Sequence, residues 1–189
     1  MTIRRHVAAL ASIPALAAAC SQVEPPGMPD RAAPAAVAQN FDQIPRQYPP
    51  QAAGIPGAAI APVGACVSFD GPSTNATLKV VDCGSPTNGY KVIQRVSTPD
   101  QCPKDVDQKF YMNPAEGQFT ACLDYAWSAK DCLSIGKVTA VRVACNDAGA
   151  PDRQKPLNVV LDSINASDCP ETGFPHPVRR FTVCAERQK

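Results

Sequence analysis

The chain has 189 residues, and its 18 Lys and Arg against 17 Asp and Glu give a formal net charge of +1. This balance gives no basis for binding nucleic acid or a strongly anionic surface. Nine cysteines and only two histidines direct attention to disulfide structure rather than to histidine-dependent catalysis.

Residues 1–19 have the pattern of a bacterial lipoprotein signal peptide. Arg4 and Arg5 precede an apolar run of Ala, Leu and Ile that is too short for a stable transmembrane helix. Three alanines then lead to Cys20, which we expect to carry the lipid and to anchor the protein at the extracytoplasmic face of the cell membrane. Ala17 stands where a lipoprotein signal usually has a bulkier residue. The alternative is an ordinary secretory peptide, which leaves Cys20 as an unpaired thiol.

Residues 20–63 are rich in Pro, Ala and Gln, and they contain no cysteine after Cys20. Such a composition favours extended conformers and offers little apolar surface for a core. We predict a disordered linker between anchor and folded region, with at most one helical turn in VAQNFDQI. The alternative is a Pro-rich ligand for a partner.

The rest of the chain contains one pattern twice, in residues 64–126 and 127–189. In each half a proline follows the third cysteine, and Phe-Thr-Ala or Phe-Thr-Val precedes the fourth. Agreement in order and context indicates a tandem duplication. The eight cysteines are Cys66, Cys83, Cys102 and Cys122 in the first unit, and Cys132, Cys145, Cys169 and Cys184 in the second.

The apolar runs of both units predict strands. TLKVVDC and VTAVRVAC alternate with period two, YKVIQRV and LNVVLDSI are rich in β-branched residues, and CVSF and CLSI precede turns. PDQCPKDVDQKF is the one segment expected to form a short helix. The predicted fold is mainly β (a β-rich α+β class), built from two homologous disulfide-stapled units after the signal peptide and linker.

Export permits disulfides to form, and an anchored Cys20 leaves an even number of cysteines for pairing. The first two cysteines of each unit flank a hairpin-like pair of strands, so they are expected to face each other at its open end. Eight cysteines allow 105 pairings. We predict four: Cys66–Cys83, Cys102–Cys122, Cys132–Cys145 and Cys169–Cys184.

The lipid-type cysteine, the Pro/Ala tether, the series GACV…VVDC…YKVIQRV…CP…FTACL and its shorter echo together resemble the LppU-type lipoproteins of actinobacteria. The first unit is also similar to septum-formation-type extracytoplasmic domains. It departs from them at CGSPTNGY, where those domains often have Pro-His. The resemblance covers most of residues 64–189 and implies an exported, anchored protein without an established activity.

Candidate catalytic groups are few. His176, between Pro175 and Pro177, is expected in a rigid surface loop, and a histidine-based site would have to use it. Cysteine spacings of twelve residues or more within each unit, without Cys-x-x-Cys, favour disulfides over metal ligands, so no metal and no cofactor are predicted.

The charged clusters are interpreted most simply as groups of solvent-exposed surface residues. A solvated face beside Lys104 and Lys109 is expected for the acidic residues, although paired carboxylates also support glycoside hydrolysis. Basic residues near the C-terminus suggest a charge-protected edge strand. The acidic residues are Asp100, Asp105, Asp107, Asp162, Asp168 and Glu171; the basic ones are Arg179, Arg180, Arg187 and Lys189.

Tyr125 and Trp127 lie at the boundary between the units, where we expect them to pack the units together; a ligand cleft at this position is the alternative. The function predicted is non-enzymatic binding or scaffolding in the envelope, with another envelope protein or a wall polymer as partner. Two alternatives are a wall-acting enzyme and a purely structural lipoprotein.

Overall fold

The computed structural model describes residues 37–72 and 75–189, and the fold is mainly β, as predicted. The predicted signal peptide and Cys20 lie outside the described residues. A two-residue strand, β1 (Val37–Ala38), comes first among the described residues. The first sheet consists of β2 (Cys66–Asp70), β3 (Thr77–Val81), β4 (Tyr90–Val96), β5 (Gln108–Met112) and β6 (Phe119–Tyr125). The second consists of β7 (Cys132–Ile135), β8 (Ala140–Val143), β9 (Arg153–Leu161), β10 (Thr172–His176) and β11 (Phe181–Arg187), with β1 paired to β9.

The two sheets have the same strand order. The first runs β3-β2-β4-β6-β5 and the second β8-β7-β9-β11-β10, so each strand except β1 has a counterpart in the other sheet. All pairings are antiparallel. This is the arrangement that a tandem duplication produces.

All four predicted disulfides are confirmed. Cys66 bonds to Cys83 and Cys132 to Cys145, each joining the start of a hairpin to the residues after its second strand. The other two bonds attach the loop before each unit's second hairpin to the second strand of that hairpin. Cys102 bonds to Cys122 in β6, and Cys169 bonds to Cys184 in β11. In the chain-entropy model each loop of this length stabilises the fold by about 3 kcal/mol.

The segment before the first sheet differs from the prediction of a disordered linker. Within residues 39–63, Phe41 and Ile44 are buried in the core of the second sheet, and Ala61 is buried in the core of the first. A Cβ on Gly57 would meet the ring of Phe119 at 2.2 Å, so the backbone lies directly on the first core. The apolar residues are too widely spaced among prolines for a periodic pattern, but they still reach both cores.

The predicted helices are absent from the described residues. Only a 3-10 turn, Pro99–Gln101, forms in PDQCPKDVDQKF, and β5 takes up the end of that segment. VAQNFDQI contains β1 and bends instead of a helical turn. No helix among the described residues is long and apolar enough to cross a bilayer.

Candidate functional site

A polar groove lies where the two sheets and the N-terminal segment meet, and we call it the junction groove. Its volume is about 230 Å³. Lys91 comes from β4, Trp127 follows β6, and Arg142 comes from β8. The remaining lining residues are Asp42, Cys66, Cys83, Gly84, Asn88, Ala126, Ser128, Lys130 and Asp131.

Three residues that line the junction groove carry buried polar atoms without a hydrogen-bond partner among the described residues. These atoms are Nε1 of Trp127, Nε of Arg142 and Oδ1 of Asn88, in residues that are at most 8% exposed. Buried polar atoms are normally satisfied, because an unpaired one costs about 1–3 kcal/mol. Two side chains of one groove therefore each carry an N–H donor that an acceptor would satisfy after a small side-chain movement.

The charges of the groove favour an anion. Lys91, Lys130 and Arg142 outnumber Asp42 and Asp131 by one positive charge. Arg142 uses Nη1 for Asp131, at 3.1 Å, and Nη2 for the carbonyl of Ala126, at 2.8 Å, so its Nε–H remains.

Lys91 is held in an unfavourable environment for a cation. Its side chain is 8% exposed, and Nζ has a long contact of 3.4 Å to the carbonyl oxygen of Asp42. Burial lowers the pKa of Lys91. The positive charge of Arg142 lowers this pKa further, and the negative charge of Asp42 raises it but does not outweigh burial. An anion bound beside Nζ would stabilise the charged form.

Two larger grooves, of about 390 and 280 Å³, lie along the same junction near Phe69 and Thr139. The larger contains Asp70 and Lys79, which already form an ion pair with each other. Neither is lined by an unpartnered buried polar atom among the described residues. The junction groove is therefore the better candidate for a ligand.

A buried ionic network also crosses the junction, centred on Arg179 in the turn between β10 and β11. Its guanidinium donates to Asp105 Oδ1 at 3.0 Å and to Asp124 Oδ2 and Oδ1 at 2.6 and 2.9 Å. It also donates to the backbone carbonyls of Asp105 and Gln47. The network joins the second sheet to the first sheet and to the N-terminal segment.

His176 lies beside this network. Its ring stacks on Phe181, with centroids 4.3 Å apart, and Nδ1 is 3.0 Å from the carbonyl oxygen of Phe174. Burial opposes protonation of the ring, but the carboxylates of Asp107 and Asp124 outweigh it, so the pKa of His176 is raised. Burial raises the pKa of Asp124 as well, against the effect of Arg179.

Three predictions about these residues are therefore wrong. His176 is 1% exposed, at the end of β10, and does not lie in a surface loop. Asp105 and Asp107 are largely buried instead of forming a solvated face, with side chains 2% and 12% exposed. Arg179 is buried in the turn before β11. β11 is an interior strand and not an edge strand, because it pairs with β10 on one side and with β9 on the other.

Tyr125 and Trp127 lie between the two sheets, where the sequence placed a contact of the units. Tyr125 packs on Tyr90 of the first sheet and edge-on against Phe174 of the second, with centroids 5.7 and 5.9 Å apart. Trp127 also packs on Phe174, at 4.8 Å, and it is one of the residues that line the junction groove. Aromatic packing and the junction groove thus occupy the same boundary.

Sequence reasoning missed Lys91 and Arg142 as groove residues. Each is a charged residue within an otherwise apolar strand sequence, YKVIQRV and AVRV, and each is buried. A charge on the inward side of a predicted strand is the signal that could have found them.

Comparisons with protein-family models, with curated proteins and with solved structures give no match to this chain, so the geometry alone carries the functional argument.

Proposed function

We propose that this protein is an extracytoplasmic binding module whose junction groove holds an anionic group, a carboxylate or a phosphate, of an envelope ligand. The observation that carries the proposal is that one groove is lined by Trp127 and Arg142, whose Nε1 and Nε have no hydrogen-bond partner among the described residues, and by the buried cation of Lys91. Carboxylate and phosphate oxygens accept hydrogen bonds from donors of this kind and neutralise the charge.

Binding is favoured over catalysis by the kind of groups in the groove. Donors and a buried cation stabilise an anion in its ground state without any chemical step. The groove is also open to one side, which suits the charged end of a larger wall polymer or peptide better than an enclosed small molecule.

The proposed location is the outer face of the cell membrane, with a lipid on Cys20 as the anchor, as in the LppU-type lipoproteins that the sequence resembles. Four disulfides support an oxidising compartment, because they persist outside the cytoplasm. The signal-type sequence of residues 1–19 supports the same location.

The test is calorimetric titration with soluble muropeptides, which carry free carboxylates, and with inorganic phosphate. Lys91→Met keeps the side-chain length and removes the charge, and Arg142→Gln removes the guanidinium. We expect each to weaken binding at least tenfold.

Lys155→Met is the matched control, since Lys155 is exposed on β9, away from the groove. It should bind as the unmodified protein does. Muropeptide and phosphate binding that is absent, or equal in Lys91→Met and Lys155→Met, would contradict the proposal. Disulfide content and circular dichroism verify that the variants remain folded.

A further inference from the structure

Three side chains with metal-binding atoms converge beside the ionic network. Asp107 precedes β5, Asp124 lies on β6, and His176 ends β10; one ligand atom from each lies within 4.8 Å of the other two. Nε2 of His176 is 3.5 Å from Asp107 Oδ2 and 3.8 Å from Asp124 Oδ1. Tetrahedral ligands of Zn²⁺ at their usual bond lengths are about 3.3 Å apart. Small side-chain rotations would therefore bring these atoms to metal-binding positions.

The imidazole of His176 points independently to a ligand. Its ring is almost completely buried, and Nε2 has no hydrogen-bond partner among the described residues. With the carbonyl oxygen of Phe174 as acceptor, Nδ1 carries a hydrogen and Nε2 faces the carboxylates, where a metal ion would take the place of the proton on Nε2. A histidine whose distal N–H is fixed by a backbone carbonyl is the usual form of a metal ligand.

The surrounding groups orient both carboxylates. Asp107 Oδ2 accepts the backbone N–H of Tyr125 at 2.8 Å, and Asp124 Oδ1 accepts Nη2 of Arg179 at 2.9 Å. Asp105 and Asp124 pair with the guanidinium of Arg179, and Asp107 lies beside His176. The three carboxylates and one guanidinium give the cluster a formal charge of −2 when the imidazole is neutral. One divalent cation balances this charge.

We propose that Asp107, Asp124 and His176 bind one divalent transition-metal ion, with Zn²⁺ as the reference ion, and so connect the two sheets. A mixed nitrogen and oxygen ligand set with three protein ligands suits Zn²⁺, whereas Ca²⁺ needs six or more oxygens. The Asp107 side chain is largely buried but 12% exposed, so one of the three ligands keeps some contact with solvent through which the ion can enter. The site is distinct from the junction groove and does not depend on the function proposed for it.

The first test is elemental analysis of the full chain, prepared without a polyhistidine tag, after dialysis against Zn²⁺ and removal of free metal. We expect one Zn²⁺ per chain. Asp168 is exposed and does not belong to the cluster, so Asp168→Asn is the matched control for Asp107→Asn. Asp168→Asn should retain the ion, while His176→Gln and Asp107→Asn should lose it. No bound Zn²⁺, or equal binding in Asp168→Asn and Asp107→Asn, would overturn the proposal.

A second test needs no variant of the buried residues, whose removal could unfold the protein. In ¹⁵N-labelled unmodified chain, long-range ¹H–¹⁵N spectra resolve the ring nitrogens of each histidine. One equivalent of Zn²⁺ should move the Nε2 resonance of His176, and one equivalent of Ca²⁺ should leave it in place. An Nε2 resonance that does not respond to Zn²⁺ would refute the site.

Discussion

Replacing Arg179 by Met should be among the most damaging single changes at the junction. The side chain makes five hydrogen bonds, three to the carboxylates of Asp105 and Asp124 and two to backbone carbonyls. Both carboxylate side chains are only 2% exposed, so water cannot replace the guanidinium. Breaking one side of a buried ion pair costs about 3–5 kcal/mol, because the remaining charge stays buried.

The assay is equilibrium unfolding in urea with all disulfides oxidised. For a slope of about 2 kcal/mol per molar urea, a loss of this size lowers the midpoint by about 2 M. The neighbouring Arg180→Met is the matched control. Its side chain is 55% exposed and pairs with an equally exposed Asp162, and such pairs contribute about 1 kcal/mol or less.

A second variant separates charge from packing. Adding Asp124→Asn to Arg179→Met removes one of the two uncompensated carboxylates, so part of the lost stability should return. Equal midpoints for Arg179→Met and Arg180→Met would refute the reasoning. So would a double variant less stable than Arg179→Met alone, because the cost would then not come from buried charge.

Further outcomes follow from the same structure. A Cβ on Gly89 would meet the backbone carbonyl oxygen of Ala140, in the second sheet, at 1.8 Å. In urea unfolding, Gly89→Ala should therefore lower the free energy of unfolding by about 2–4 kcal/mol. Gly84 has open space around the corresponding position, so Gly84→Ala should lower it by less than about 1 kcal/mol. Burial raises the pKa of Tyr125 to about 12 and that of Tyr90 in the same direction. The stabilising contribution of these two tyrosines is complete below about pH 10, where an unfolded tyrosine begins to ionise, and it is lost as the pH rises towards their pKa values in the folded protein. The free energy of unfolding should therefore fall from about pH 10 to 12. The fall should be less steep in Tyr125→Phe. Cys20→Ala should move the protein from the membrane fraction to the medium, and an unchanged distribution would exclude the anchor.

The repeated cysteine framework made much of the fold predictable. Cysteine order and context identify the two units, and strand alternation around Cys66 and Cys132 predicts the hairpins that the first disulfide of each unit closes. These are local signals, since the partners lie 17 and 13 residues apart. β1, β5, β6 and β10 were not predicted as strands. The sequences of β5 and β10, QKFYM and TGFPH, lack a strong period-two pattern.

The candidate sites could not be predicted because they depend on contacts between distant segments. Arg179 and Asp105 are 74 residues apart, and Arg179 and Gln47 are 132 apart. Neither distance leaves a pattern in the sequence. The prolines around His176 suggested a loop at the surface, but Pro175 lies within β10, and the side chain turns into the junction.

The most direct test of the proposed binding function uses the single tryptophan of the chain as a reporter. Trp127 gives one indole N–H resonance, its side chain lines the junction groove, and its Nε1 has no hydrogen-bond partner among the described residues. Titration of ¹⁵N-labelled protein with muropeptide should move this resonance with saturation, and Lys91→Met should abolish the shift. An indole resonance that stays in place at saturating muropeptide and phosphate would contradict the account, because an anion accepted by the open donors must touch that N–H.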